Sequence, residues 1–211
     1  HSDSSAASDV YKRQDVKAVN DFNLLLEDGE ILALLGSSGC GKTTTLRMIA
    51  GFETATSGQI KIGERIVNDL KPADRNVAMA FEGYALYPPL TVKDNIAFSL
   101  MREKISKDKV DSKVMEVAEL LEITDILERY PPSISGGQQQ RVSLARALVR
   151  DSDALLLDEP MSQLEPQLRA VLRARVKDYI QHNNKTVIFV THDQTEAVAL
   201  ADKIAVMENG D

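Results

Sequence analysis

One cysteine, Cys40, is all that the 211 residues contain, so no internal disulfide can form and a reducing compartment is expected. No uninterrupted apolar run approaches the roughly 20 residues needed to cross a bilayer. Any role at a membrane therefore requires partner chains. Basic residues are outnumbered, 25 Lys and Arg against 32 Asp and Glu, for a net charge of -7. With no long basic run either, broad nucleic-acid binding is disfavoured. Secretory signal, internal repeat and low-complexity linker are all missing. The first residues, His1 to Asp9, are mostly Ser, Ala and Asp without hydrophobic periodicity. Residues 1–14 are therefore expected to be a disordered or foreign lead, dispensable for the fold. At the other end, Glu208 to Asp211 read as a turn just after an apolar run, as if the chain were cut short there.

Between these ends, short β-rich runs alternate with long helical stretches, the pattern of a mostly parallel sheet covered by helices. Ile31–Leu35, Val77–Phe81, Ala154–Leu157 and Thr186–Val190 read as buried strands, with Ile204–Met207 a fifth candidate. Phe22–Leu26 and Gln59–Val67 alternate like half-buried antiparallel strands. Lys109 to Leu121 places Val110, Val114, Val117, Ala118 and Leu121 on one helical face. Residues from about 85 to 150 read as a helical insertion, punctuated by Pro88-Pro89 and Pro131-Pro132.

The run Gly36-Ser37-Ser38-Gly39-Cys40-Gly41-Lys42-Thr43 follows an apolar strand and precedes a helical stretch from Thr44 to Ala50. That is the context of a phosphate-binding loop. Its glycines let successive N–H groups turn inward around phosphate oxygens, and the helix N-terminus adds its dipole. Lys42 would reach the β- and γ-phosphates of a nucleotide, and the Thr43 hydroxyl would ligate Mg²⁺. A second run, Ala154 to Pro160, is an apolar strand ending in Asp158 and Glu159. Open α/β sheets bind ligands at this carboxyl end. Asp158 would hold Mg²⁺ through water, and Glu159 would orient or deprotonate an attacking water.

A third run, Ile134-Ser135-Gly136-Gly137-Gln138-Gln139-Gln140-Arg141, opens a helix that continues to Val149. Serine and two glycines at a helix start make a second anion cradle, which a single nucleotide does not need. Two facing chains do need it. This segment resembles the signature motif of ABC-transporter ATPases, with Ile134 in place of the usual leucine, and the acidic pair follows at the family's distance. The resemblance implies an α/β fold: a P-loop NTPase core over residues 15–211, with an antiparallel β subdomain and a helical subdomain carrying the signature. It also implies ATP and Mg²⁺ as cofactors, with Ser135, Gly136, Gly137 and Gln138 acting on the nucleotide of the opposite subunit. His192, just after a strand, resembles the family's switch histidine, contacting the γ-phosphate and coupling it to Glu159. Thr44 joins residues 36–43 in the nucleotide loop. Phe81 to Pro88 looks most like ATPases of maltose-type carbohydrate importers, and Tyr84 to Ile96 like the segment that meets membrane subunits. The implied partners are a second ATP-binding subunit, integral membrane permease subunits and, indirectly, an extracytoplasmic solute-binding protein. The implied place is the cytoplasmic face of the membrane, peripherally. His1, His182 and Cys40 take bland structural roles, though the Cys40 thiol could report nucleotide occupancy.

Three residues depart from the family pattern. Glu82 stands where many members have the glutamine that contacts Mg²⁺ and the attacking water; a carboxylate keeps an oxygen ligand but adds negative charge. Glu165 replaces an aspartate in the loop that crosses the dimer interface. The aromatic residue that stacks on adenine falls near Gln14, with Tyr11 out of register. Two alternatives therefore stand beside an importer ATPase: a catalytically impaired nucleotide-binding module, and a soluble ABC ATPase not tied to transport.

Overall fold

In the computed structural model, residues 18–20, 22–101, 103–208 and 210 are described. The expected lead over residues 1–14, including Tyr11 and Gln14, lies outside the described residues.

Five strands form one parallel sheet: β1 (Ile31–Gly36), β4 (Val77–Ala80), β5 (Ala154–Asp158), β6 (Val187–Thr191) and β7 (Lys203–Met207). Their spatial order is β4-β5-β6-β1-β7. Parallel strands covered on both faces should read as continuous apolar runs, and β1, β5 and β6 do. Their side chains alternate between two cores. Ile31, Ala33, Leu155, Leu157, Val187 and Phe189 pack into one. Leu32, Leu34, Leu156, Ile188 and Val190 pack into the other, beside Leu46 of helix α1 (Lys42–Ala50).

The first core is closed mainly by α2 (Val92–Phe98), α3 (Lys107–Leu120), α4 (Gly136–Leu148) and α5 (Pro166–His182). The face expected from the spacing of α3 is the one that packs: Val114, Val117 and Ala118 are buried, as is Leu121 just past the helix end. The helix begins two residues earlier than Lys109, because Ser106 accepts a hydrogen bond from the Lys109 N–H and caps it. A shorter helix, α6 (Gln194–Leu200), lies between β6 and β7.

Two strand expectations are corrected. Phe22–Leu26 forms no strand: Phe22 and Leu26 lean on the second core, while Leu24 and Leu25 are exposed. Gln59–Val67 shrinks to a short antiparallel hairpin, β2 (Lys61–Ile62) and β3 (Arg65–Ile66), turning at Gly63 with φ 56°. The segment just after this hairpin is tied to α1 by the buried guanidinium of Arg75. Arg75 donates to the carbonyls of Met48 and Ile49 at the end of α1, and to those of Asn68 and Leu70. Cationic donors at a helix C-terminus complement its dipole and its unpaired carbonyls. The opposite end of α1 meets the loop after β1 that is expected to bind phosphate.

Candidate functional site

The carboxyl ends of β1, β6 and β5 lie side by side, and the loops leaving them carry the residues singled out above. After β1, the loop turns on Gly39 and Gly41, with φ of 82° and 106°. At Gly41 a side chain is also sterically barred, because a Cβ would strike the Ala18 carbonyl. Ser37, Ser38 and Gly39 are exposed, Thr44 is half-buried, and Cys40 is buried. Lys42 is buried as well, its ammonium donating to the carbonyls of Gly36 at 2.8 Å and Ser37 at 2.7 Å.

Thr43 and Asp158, 115 residues apart, are brought together: the Thr43 hydroxyl donates to Asp158 Oδ1 at 3.1 Å. Burial pushes the Asp158 carboxyl above the usual range, and the charges of Glu82 and Glu159 push the same way. A hydroxyl beside a carboxylate that is destabilised by burial and like charge is a fitting seat for a hard divalent cation. Among the described residues no three His, Cys, Asp or Glu side chains form a self-sufficient metal cage. Mg²⁺ does not need one, since it is held by one or two protein groups together with phosphate oxygens. Glu82 is exposed and reaches this seat through its field rather than through a hydrogen bond of its own.

Glu159 has φ 49°, a left-handed conformation that non-glycine residues rarely adopt. Its N–H is bound to the Val190 carbonyl at 3.1 Å. Its side chain meets His192: Oε1 lies 2.9 Å from Nδ1. The hydrogen bond to Glu159 raises the His192 pKa above its ordinary value, with charge attraction in the same direction. Because the folded-state pKa is raised, the stabilisation from this pair is complete below the ordinary histidine range and is lost as pH rises through the raised value. The histidine side chain is 68% exposed, so solvent screening keeps that contribution small. NMR titration of the His192 ring should give a pKa above the ordinary value, and Glu159→Gln should move it back down; an unshifted ring in the unmodified chain would contradict the pairing.

Ser135 caps α4 in a reciprocal capping box with Gln138: the Ser135 N–H donates to Gln138 Oε1 at 2.9 Å, and the Gln138 N–H donates to Ser135 Oγ at 3.3 Å. Ser135 and Gly136 are exposed. Gly137 faces inward, where a Cβ would crowd the Gln163 carbonyl at 3.2 Å. Among the described residues, no hydrogen bond joins Ser135–Gln138 to residues 36–44.

Sequence reasoning missed Gln140. It is 3% exposed, and its amide donates to the Glu159 carbonyl at 2.9 Å and to Ser162 Oγ at 3.1 Å. Its Oε1 accepts from the Gln163 N–H at 2.9 Å. The helix that opens at Ser135 thus grips the loop that carries Glu159. The only sequence signal was a polar residue on the buried face of α4. Glu165 occupies the N-cap of α5 without any side-chain cap bond. The aspartate that the family resemblance implies at this position would be among the preferred capping residues.

Compared with known proteins, residues 19–162 match the ABC transporter family. The chain belongs to that family. It is 50% identical to the trehalose/maltose import ATP-binding protein MalK of Thermococcus litoralis over 202 residues, 93% of this chain and 54% of that one. It is 48% identical to the sn-glycerol-3-phosphate import ATP-binding protein UgpC of Ruegeria pomeroyi, over 92% of this chain and 57% of that one. The chain thus spans about half the length of the curated relatives it matches. Among solved structures, it resembles the ATP-binding cassette MJ0796 in a dimeric post-hydrolysis state bound to ADP and Pi. The TM-score is 0.84 at 28% identity, over 92% of this chain and 87% of that one.

Proposed function

We propose that residues 15–211 act as the ATP-binding and ATP-hydrolysing cassette of an importer for a sugar or polyol, working as a homodimer. The observation that carries this reading is the pair of anion-binding helix starts on one chain. One is the phosphate loop, backed by Asp158 and Glu159. The other is the capped, exposed Ser135–Gly137 turn, which touches none of its own phosphate loop. Such a turn suits a nucleotide held by a second copy.

In the proposed site, N–H groups of Gly39 to Thr44 and the Lys42 ammonium bind the phosphates, and Thr43 and Asp158, with Glu82 beside them, hold Mg²⁺. The bound ion would neutralise charge on the phosphates. Glu159 accepts the proton of the attacking water or orients it, and His192 fixes the Glu159 carboxylate through Nδ1 while its exposed ring faces the γ-phosphate. Gln140 keeps the Glu159 backbone in its left-handed turn. Permease subunits would dock in the groove of about 430 Å³ lined by Met79, Tyr84, Tyr87, Phe98 and Met101. No described helix is long and apolar enough to cross a membrane, in keeping with a peripheral subunit on the cytoplasmic face. A solute-binding protein would act on it only through the permease.

Mg²⁺-dependent phosphate release from ATP by the purified chain, abolished by Lys42→Ala, tests this function. The charge that Glu82 adds at Asp158 favours the second reading, a catalytically impaired module, which binds ATP but releases no phosphate. Glu82→Gln separates the two further. It removes one negative charge beside the triphosphate while keeping an oxygen ligand, so half-maximal activity should need about two- to threefold less Mg²⁺, with the maximal rate held or raised. Complete loss of hydrolysis in that variant would show that the carboxylate itself is required.

A further inference from the structure

Glu196 sits in α6, four residues after His192, and is only 3% exposed. A glutamate in the first turn of a short helix ordinarily faces water. Burial pushes this carboxyl above the usual range, and the charges of Glu159 and Asp193 add to the shift. Among the described residues its Oε1 has no hydrogen-bond partner. An apolar side chain of similar size would fill the position without burying an acid, so packing gives no reason for a carboxyl here.

Its other oxygen supplies one. Oε2 accepts a hydrogen bond from the Thr191 hydroxyl at 2.5 Å. Thr191 Oγ1 in turn accepts from the Asp193 N–H at 3.1 Å. The Asp193 carboxylate accepts from the N–H groups of Thr195 at 2.8 Å and Glu196 at 3.2 Å. The Thr191–Asp193 bond spans His192, and the Asp193 bonds tie that turn to the start of α6, so together they close a ring through residues 191–196. An imidazole that is 68% exposed has little packing to aim it, so its reach to Glu159 depends on that one hydrogen bond and on the backbone that the ring holds. The ring is also anchored to the loop after Glu159. Arg169 donates to the Leu164 carbonyl at 2.9 Å and to the Ser162 carbonyl at 3.3 Å, and its other nitrogen lies 3.5 Å from the Asp193 carboxylate.

We propose that Glu196 is a positioning residue which, through the Thr191 hydroxyl, aims His192 at Glu159. The inference rests on the reading that Glu159 and His192 carry hydrolysis. What Glu196 must supply is an acceptor at Oε2 rather than a charge.

Steady-state ATP hydrolysis by the purified chain, with the thermal midpoint measured alongside, tests it. Glu196→Ala should lower kcat about tenfold or more and leave KM within about twofold, because the imidazole is misaimed while the phosphate loop is untouched. Glu196→Gln, whose carbonyl can accept the same bond, should restore kcat to within about twofold of the unmodified chain. Thr191→Val keeps the shape but loses the hydroxyl, which also accepts the Asp193 N–H, so it should be at least as slow as Glu196→Ala; it also serves if Glu196→Ala does not fold. The double variant Glu196→Ala with Thr191→Val should be no slower than Thr191→Val alone, since Glu196 acts only through that hydroxyl. A Gln variant as slow as the Ala variant, multiplied losses in the double variant, or a kcat unchanged while only the thermal midpoint falls would each overturn the proposal. His192→Ala separates this from the underlying reading. A full rate there overturns the role of His192 itself, whereas a slow His192→Ala beside a normal Glu196→Ala overturns only the role of Glu196.

Discussion

Glu159→Gln should lower the hydrolysis rate by about a thousandfold or more while leaving ATP binding intact, within the range that loss of a general base produces. Glutamine has nearly the same shape, and the contacts that hold this residue at φ 49° run through its backbone, from the Val190 carbonyl and the Gln140 amide. The turn should therefore survive. The amide carbonyl can still meet His192 Nδ1, now 2.9 Å from the carboxylate. What disappears is the basic oxygen proposed to take the proton from water. An enzyme that binds ATP, closes and cannot turn over should accumulate as an ATP-bound dimer, visible as a faster-eluting species on size-exclusion chromatography with ATP. A variant hydrolysing at the unmodified rate would end the role assigned to Glu159.

Much of this site was legible before any coordinates, and the reasons differ by residue. The phosphate loop and the strand ending in Asp158 are local patterns: glycines where the chain must turn, apolar residues where a parallel strand is buried on both faces. Side-chain alternation along Ile31–Leu34 and Leu155–Leu157 follows from the pleat alone. The capping box at Ser135 and Gln138 is also a local signal, three residues apart. Phe22–Leu26 failed because alternation shows that a segment could pair, not that a partner strand lies beside it. Gln140, Arg169 and Glu196 stayed hidden for another reason. Each works through contacts with another element or across a turn, and their residue types would suit a solvent-facing helix equally well. The left-handed backbone of Glu159 was equally invisible, since glutamate has no preference for it and tertiary contacts impose it.

The second large effect concerns Ser135. Replacing it with arginine places a long cation on the exposed turn Ser135–Gly136, the surface proposed to meet a partner's nucleotide. Loss of the cap itself is worth only about 0.5–2 kcal/mol, and α4 is anchored along its length by Val142, Leu144, Ala145 and Leu148 in the core. The fold should persist. Hydrolysis should fall about a hundredfold or more, as expected for disruption of a charge-stabilising site. ATP binding by the same chain should stay unchanged, because Lys42 and Thr43 are untouched.

Mixing that variant with Lys42→Ala measures most directly whether the nucleotide site is shared between two chains. Each variant alone should be inactive. Their heterodimer has one composite site with both halves intact, the phosphate loop of the Ser135→Arg chain facing the Ser135 turn of the Lys42→Ala chain, and one site with both halves broken. Phosphate release should return on mixing and rise more steeply than in proportion to protein concentration. If instead Ser135→Arg abolishes ATP binding in the isolated monomer and mixing restores nothing, the turn belongs to its own chain's site and the shared arrangement is wrong.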